Sequence, residues 1–431
     1  MHRTAPTYYA LQVGSNWGWF LGPFYPLFLL SLGLSFTEAS AVLATYFITT
    51  LLFEVPTGAV ADLYGRRVSF LASCVVRTGA FLLYYFADGF ADCLVAEAVD
   101  AIGTALSSGA LEAWVIDEME AEGDPRPADR LFASANVWMR SVMALAGIVG
   151  TLVATIDIYL PWLVGAAGYA TTFFFALAFM HETRLPNAAG RDAAATAAQP
   201  GSVVRRRTLA GLVAAAGSNL ATTLREAVSE VLASPTVRLL CLLTVGTAFG
   251  VMPVYFGWPA FLDDMVGGDL LQLGFVWAAV SLASALGSAS VPAALRVADR
   301  PQLLALTMAL RGAGIVLVAL ATGVGQALLG LILLETGLGL SHPIFQSWVN
   351  EHVGTERRAT VLSLVQMSFT SGGAVGLLLL GRLAELQGFT SAWLIAGLLL
   401  VGLAPVFLLI RWQDLALAAT VEGSSEPAEG A

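Results

Sequence analysis

Long apolar blocks separated by short polar interruptions run through nearly the whole chain. A helix crossing a bilayer takes about 20 mainly apolar residues, and twelve blocks of that length follow one another. They lie at approximately 8–32, 39–60, 68–87, 93–116, 131–155, 159–180, 237–262, 271–295, 302–322, 326–349, 359–383 and 390–410. The pattern predicts an all-α membrane protein with twelve transmembrane helices. The first block is too long for the core of a signal peptide, and no small-residue cleavage site follows it, so it is read as the first span.

The blocks form two copies of one set of six. Tyr25-Pro26 in the first matches Trp258-Pro259 in the seventh, 233 residues on, and Arg77 in the third matches Arg311 in the ninth, 234 residues on. Trp114-Val115 followed by Asp117-Glu118 in the fourth matches Trp348-Val349-Asn350-Glu351 in the tenth within one residue of the same offset. A period this long indicates duplication of a domain rather than a solenoid. The expected organisation is a six-helix bundle at 1–182, a linker at 183–235, a second bundle at 236–411 and an acidic, disordered tail at 412–431. Within the linker, residues 185–201 lack apolar periodicity and read as disordered. After Arg205-Arg206-Arg207, residues 209–232 read either as an amphipathic helix on the membrane surface or as an alanine-rich tether.

Composition agrees with the pattern: 57% of residues are hydrophobic and 12% charged, against roughly 25% charged in soluble domains. All 21 basic residues are arginine, and most of them gather in alternate loops. Arg66, Arg67, Arg126, Arg130, Arg296, Arg300, Arg357, Arg358 and the linker arginines mark one side; Asp88, Asp92, Asp157, Asp263, Asp264 and Asp269 mark the other. By the positive-inside rule both termini are cytoplasmic and the protein is a multi-pass component of the inner membrane. Cys74, Cys93 and Cys241 lack metal-ligand spacing and read as buried thiols. No nucleotide loop, metal cluster or nucleophile motif is found. An enzyme, a primary pump, a cofactor and a nucleic-acid partner are therefore not expected.

Between the second and third spans stands Gly58-Ala59-Val60-Ala61-Asp62-Leu63-Tyr64-Gly65-Arg66-Arg67. Gly58 allows close helix approach, Gly65 a turn that a side chain would obstruct, and Asp62 can pair with Arg66. This G-x-x-x-D-x-x-G-R-R spacing resembles the loop signature of the major facilitator superfamily, in the topological place that family has it. Leu63 departs from it, standing where the family usually has a basic residue. The resemblance implies two pseudo-symmetric six-helix bundles and alternating access. It further implies a cytoplasmic gate made of Gly58, Asp62, Gly65, Arg66 and Arg67 together with Asp117, at the end of span four. The corresponding loop of the second half, Leu295 to Arg300, keeps an acid–arginine pair without the glycines, which predicts asymmetric gating. Span four lacks the early arginine of the family's proton-coupled drug exporters, and Gly147-Ile148-Val149-Gly150 in span five lacks their proline.

Ionisable residues inside spans need a partner or a function. At about 1.5 Å per helical residue, Arg77 and Asp100 come out at one depth near mid-membrane, as do Arg311 and Glu335. Both pairs read as structural clamps, with a proton relay as the alternative. Glu54, Glu112 and Arg140 share a shallower level and read as a coupling group, since crowding and loss of water favour a protonated carboxyl; a static salt-bridge lock is the alternative. Candidate cavity residues are Asn16, Phe20, Tyr25, Trp114, Asn136, Trp138, Tyr255, Trp258, His342, Gln346 and Gln366. His342, beside Pro343, serves either the cavity or helix packing. Aromatic walls with few polar groups suit an amphipathic solute better than a sugar. The expectation is a monomeric, proton-coupled exporter of a small amphipathic molecule. Solute uptake, or a non-transporting receptor or scaffold on the same fold, are the alternatives. A receptor would have every central charge paired and no cavity.

Overall fold

The computed structural model describes residues 4–124, 128–183, 234–352 and 355–410. The predicted linker helix and acidic tail lie outside these. Among the described residues the secondary structure is helical: α1 (Thr4–Gly14), α2 (Tyr25–Ser31), α3 (Phe36–Tyr64), α4 (Arg66–Tyr85), α5 (Phe90–Ser107), α6 (Ala110–Ala121), α7 (Ala128–Ala154), α8 (Leu160–Phe179), α9 (Pro235–Asp263), α10 (Leu270–Ala289), α11 (Val291–Ala294), α12 (Arg300–Ala319), α13 (Val324–His352) and α14 (Thr355–Leu403). Nine stretches of these are long and apolar enough to cross a membrane. They account for ten predicted spans, because residues 361–410 hold two, parted where Gly388 turns to φ 86°.

The other two predicted spans depart from simple helices. Span five is α7, whose strictly apolar part, Ser141–Ala154, is short. Span one is discontinuous: α1 ends at Gly14, a 3-10 turn covers Trp17–Phe20, and α2 begins at Tyr25. Gly14, Gly18, Gly22 and Pro23 explain the break, since glycine is a weak helix former and proline lacks the amide proton. Span four is also interrupted, at Ser108-Gly109, with Gly109 at φ 69°. Interrupted backbone at membrane depth survives only where protein or a water-lined cavity satisfies its polar groups. Side chains do so here: Gly18 N–H donates to the Tyr169 hydroxyl at 3.3 Å, and the Ser15 carbonyl accepts from Arg77 at 2.7 Å.

The described residues fall into two compact units. The first comprises residues 4–183 together with 266–278; the second comprises 234–265 together with 279–410. In the first, α4 lies against α5 and α8; in the second, α12 lies against α13 and α14. Trp114 and Val115 sit in the first unit's core with Tyr8, Phe70 and Met180, and their repeat counterparts Trp348 and Val349 are equally buried in the second.

Candidate functional site

The loop between α3 and α4 is built around Gly65. Its φ of 102° suits glycine, its N–H donates to the Ala61 carbonyl at 3.0 Å, and a Cβ there would lie 2.6 Å from Glu182 Oε2. Glu182 fills that space because it caps α4, accepting from the backbone N–H groups of Arg66 at 2.9 Å and Arg67 at 3.4 Å. A carboxylate at a helix N-terminus meets otherwise unpartnered donors and a favourable dipole. Arg66 Nε donates to Asp117 Oδ2 at 3.0 Å, and Arg67 Nη2 to the Leu177 carbonyl at 2.8 Å. The segment carrying Glu182 is itself tied to α6. Thr183 donates to Glu118 through its N–H at 2.6 Å and its hydroxyl at 2.7 Å, and Trp114 Nε1 donates to the His181 carbonyl at 2.6 Å. Arg66 thus pairs with Asp117, the acid at the end of span four. The cap by Glu182, 117 residues from Gly65 in sequence, is new.

Two details of the expected gate differ. Among the described residues no atom lies within 4 Å of a Cβ placed on Gly58, so the close helix approach expected there is absent. Asp62 falls on the last turn of α3, and its side chain lies outside the described residues.

Deeper in the first unit, Arg77 and Asp100 pair through two contacts, Nε to Oδ1 at 2.9 Å and Nη2 to Oδ2 at 3.3 Å. The guanidinium also lies 4.4 Å from the centre of the Tyr169 ring. It is held by three kinds of partner: carboxylate, carbonyl and aromatic face. Gly103 makes room for its stem, since a Cβ there would come within 2.4 Å of Arg77 Cγ. One turn away, Glu97 accepts from Tyr25 at 2.9 Å and from Tyr84, whose ring stacks on Trp162.

A cavity of about 370 Å³ opens beside Arg77, bordered by Asn16, Ser15, Thr104, Ser108 and Glu112. Both helix breaks therefore face one space. Among the described residues neither Glu112 nor Glu54 forms a hydrogen bond or ion pair through its carboxylate. Arg140 and Asn136 have side chains outside the described residues, so the three-residue coupling group is visible only in its two acids. Tyr25 borders a smaller cavity of about 140 Å³ with Glu97 and Trp162. In the same unit Trp277 donates from Nε1 to the Met143 carbonyl at 3.0 Å. Its ring covers Gly147, where a Cβ would come within 2.1 Å of it.

The second unit has its own cavity, of about 290 Å³, lined by Arg311, His342, Gln346 and Gln366 with Phe345, Phe369 and Phe407. Three of the predicted cavity residues meet there. The expected clamp does not. Arg311 is 7% exposed, its Nε has no hydrogen-bond partner, and among the described residues it forms no ion pair. Glu335 acts on it only at longer range, as does Tyr255. The repeat explains this: 234 residues past Asp100 stands Leu334, not Glu335. One residue of slip on a helix rotates a side chain by about 100°. The arginine's niche is conserved between the halves nonetheless, for Gly337 corresponds to Gly103 and a Cβ on it would come within 2.6 Å of Arg311 Cγ.

Other expected cavity residues serve elsewhere. Trp114 and Trp258 are buried at 2% and 3% exposure, and Trp138 is exposed at 62%; none borders these cavities. Large planar side chains satisfy packing as readily as ligand contact. Phe20 packs beside Trp17, with its carbonyl against Gly150.

A family profile described as Major Facilitator Superfamily matches residues 10–377 and 239–428. An uncharacterized MFS-type transporter, YxaM of Bacillus subtilis (strain 168), is 25% identical over 158 residues, which is 37% of this chain and 39% of that relative. The fold resembles that of the nucleoside transporter NupG, with TM-score 0.75, 13% identity, and 94% of this chain and 99% of that one covered. It also resembles the peptide transporter POT solved with sulfate (TM-score 0.72, 16% identity, 96% and 95% covered) and the human organic anion transporter MFSD10 (0.61, 16%, 94% and 99%). At these identities the structural likeness bears on the fold alone. With the profile spanning most of its length and an all-helical, multi-pass membrane fold of the same kind, this chain belongs to the Major Facilitator Superfamily.

Proposed function

We propose that this transporter exports a small amphipathic solute in exchange for protons, by alternating access of bundles 1–182 and 236–411. In this reading it works as a monomer in the inner membrane with both termini cytoplasmic. Gly65, Arg66, Arg67 and Asp117, with Gly58 and Asp62, form the cytoplasmic gate, and Glu54, Glu112 and Arg140 couple proton movement to it. The observation that carries the reading is Glu112. It borders the first unit's cavity at a helix interruption, with no hydrogen-bonded partner among the described residues, while the adjacent Arg77 is already neutralised by Asp100. An ionisable side chain bordering a cavity inside a span marks a functional position. The gate reading rests on Arg66–Asp117, about one-third exposed on both sides, which leaves the pair able to open at small cost. A receptor or scaffold is disfavoured, because cavities remain and Arg311 forms no ion pair among the described residues.

The test is transport of a compound panel in proteoliposomes, with and without an imposed pH gradient, for the native chain, Glu112→Gln and Glu54→Gln. The expected result is gradient-driven flux in the native chain and its loss on neutralising Glu112. Equal flux in all three proteins would overturn the coupling assignment.

A further inference from the structure

The two cavities differ in sign. The first unit's is bordered by Glu112 and by an arginine whose charge Asp100 cancels. The second unit's has Arg311 and no Asp or Glu among its lining residues. Three of its hydroxyl groups are committed as donors: Thr244 to the Leu240 carbonyl at 2.8 Å, Thr307 to the Leu304 carbonyl at 3.0 Å and Ser341 to the Leu338 carbonyl at 3.1 Å. The guanidinium and the amides of Gln346 and Gln366 share the remaining polar wall with Thr247 and His342, between phenylalanine side chains.

A buried guanidinium without a counter-charge is strongly unfavourable, and inside a span it marks a functional site by default. Its planar donor array matches carboxylate-type anions in two-point contacts. We propose that this cavity binds an organic anion: Arg311 takes its carboxylate or equivalent oxyanion, Gln346 and Gln366 donate to the remaining oxygens, and Phe345, Phe369 and Phe407 cover its aromatic or aliphatic body. At about 290 Å³ the space lies near the lower end of small-ligand pockets, about 300–1,000 Å³. The occupant is therefore small. The anion supplies from outside what Asp100 supplies from within the other half. This rests on the transporter reading only in naming the anion as the solute carried.

The probes are 2-naphthoate and its neutral counterpart 2-naphthamide, titrated calorimetrically into the purified full chain in lipid nanodiscs. The native chain is expected to bind the carboxylate about ten-fold more tightly or better, as for a charged hydrogen bond. Arg311→Gln abolishes that preference. Leu334→Asp, which installs the first half's acid, does the same while keeping the arginine in place. Size-exclusion profile and helicity establish that each variant is folded. Equal affinity for the two probes, no naphthoate binding by the native chain, or undiminished naphthoate preference in folded Leu334→Asp would overturn the proposal. Flux of some other solute with no naphthoate binding would sink the anion site and leave the transporter standing. Naphthoate binding in a protein that moves no solute would sink the transporter reading and leave the site.

Discussion

Two arginines, Arg77 and Arg311, occupy corresponding places in the two halves, and their surroundings are opposite. Each lies in a niche cut by a glycine on the next span, and each is nearly buried. Arg77 is held by Asp100, by the Ser15 carbonyl and by the face of Tyr169. Arg311 has a leucine where that acid would be and a cavity in front of it. The repeat preserved the arginine and its glycine but not the partner. One half uses the charge to fasten helices across an interrupted span; the other leaves it for something that comes and goes. The loops before the two arginine helices contrast in the same way. In the first half α4 is capped from afar by Glu182, which ties the loop to α6 and α8. In the second, α12 is capped locally by Asp299, with Gln302 closing the box at 3.2 Å. A cap made within one turn has no distant segment to pull on, which fits gating concentrated in the first half.

The contrast can be broken most strongly at Asp100. Asp100→Asn leaves Arg77 buried without its counter-charge and should lower stability by about 3–5 kcal/mol. Glu335→Gln, at the site once expected to be its equivalent, should change it by less than about 1 kcal/mol. Thermal unfolding in detergent separates the two. Next comes Gly65→Ala, which forces an alanine into a left-handed φ and against Glu182; about 1–3 kcal/mol should be lost. Gly58→Ala, in open helix, should be neutral or slightly stabilising, by up to about 1 kcal/mol. Asp299→Ala removes the local cap of α12 and should cost about 0.5–2 kcal/mol, with no change in which mouth of the transporter is open. The smallest stability effect is expected at the exposed gate pair: Asp117→Asn should cost about 0–1 kcal/mol. Yet it should shift the inward–outward balance, read by labelling of cysteines introduced at each mouth. The three native cysteines are buried, which keeps the background low. Unchanged labelling would separate Asp117 from the gate.

Much of this organisation was legible in the residues alone. Block lengths and the 234-residue repeat predicted the helical membrane fold, the turn at Gly65 was expected from the loop pattern, and Asp117 was placed with the loop by the family resemblance. What was not legible depends on geometry that composition averages away. The first block reads as one span by hydropathy, yet Gly14, Gly18, Gly22 and Pro23 divide it, because an apolar average does not register helix breakers. Glu182, the last residue of the expected first bundle, was assigned no role; that role is set by how α8 returns beside α4. Glu335 was chosen over Leu334 by charge, although the offset that aligned Arg77 with Arg311 already pointed to the leucine. For Trp114 and Trp258, aromatic type near mid-span did not distinguish core from cavity.

The most direct test of the central contrast is the melting temperature of Arg77→Met beside that of Arg311→Met, each with and without 2-naphthoate. The account predicts a large fall for Arg77→Met. For Arg311→Met it predicts an unchanged or higher value, with the stabilisation by naphthoate seen in the native chain gone. Equal falls for the two variants, or a naphthoate response that survives in Arg311→Met, would contradict it.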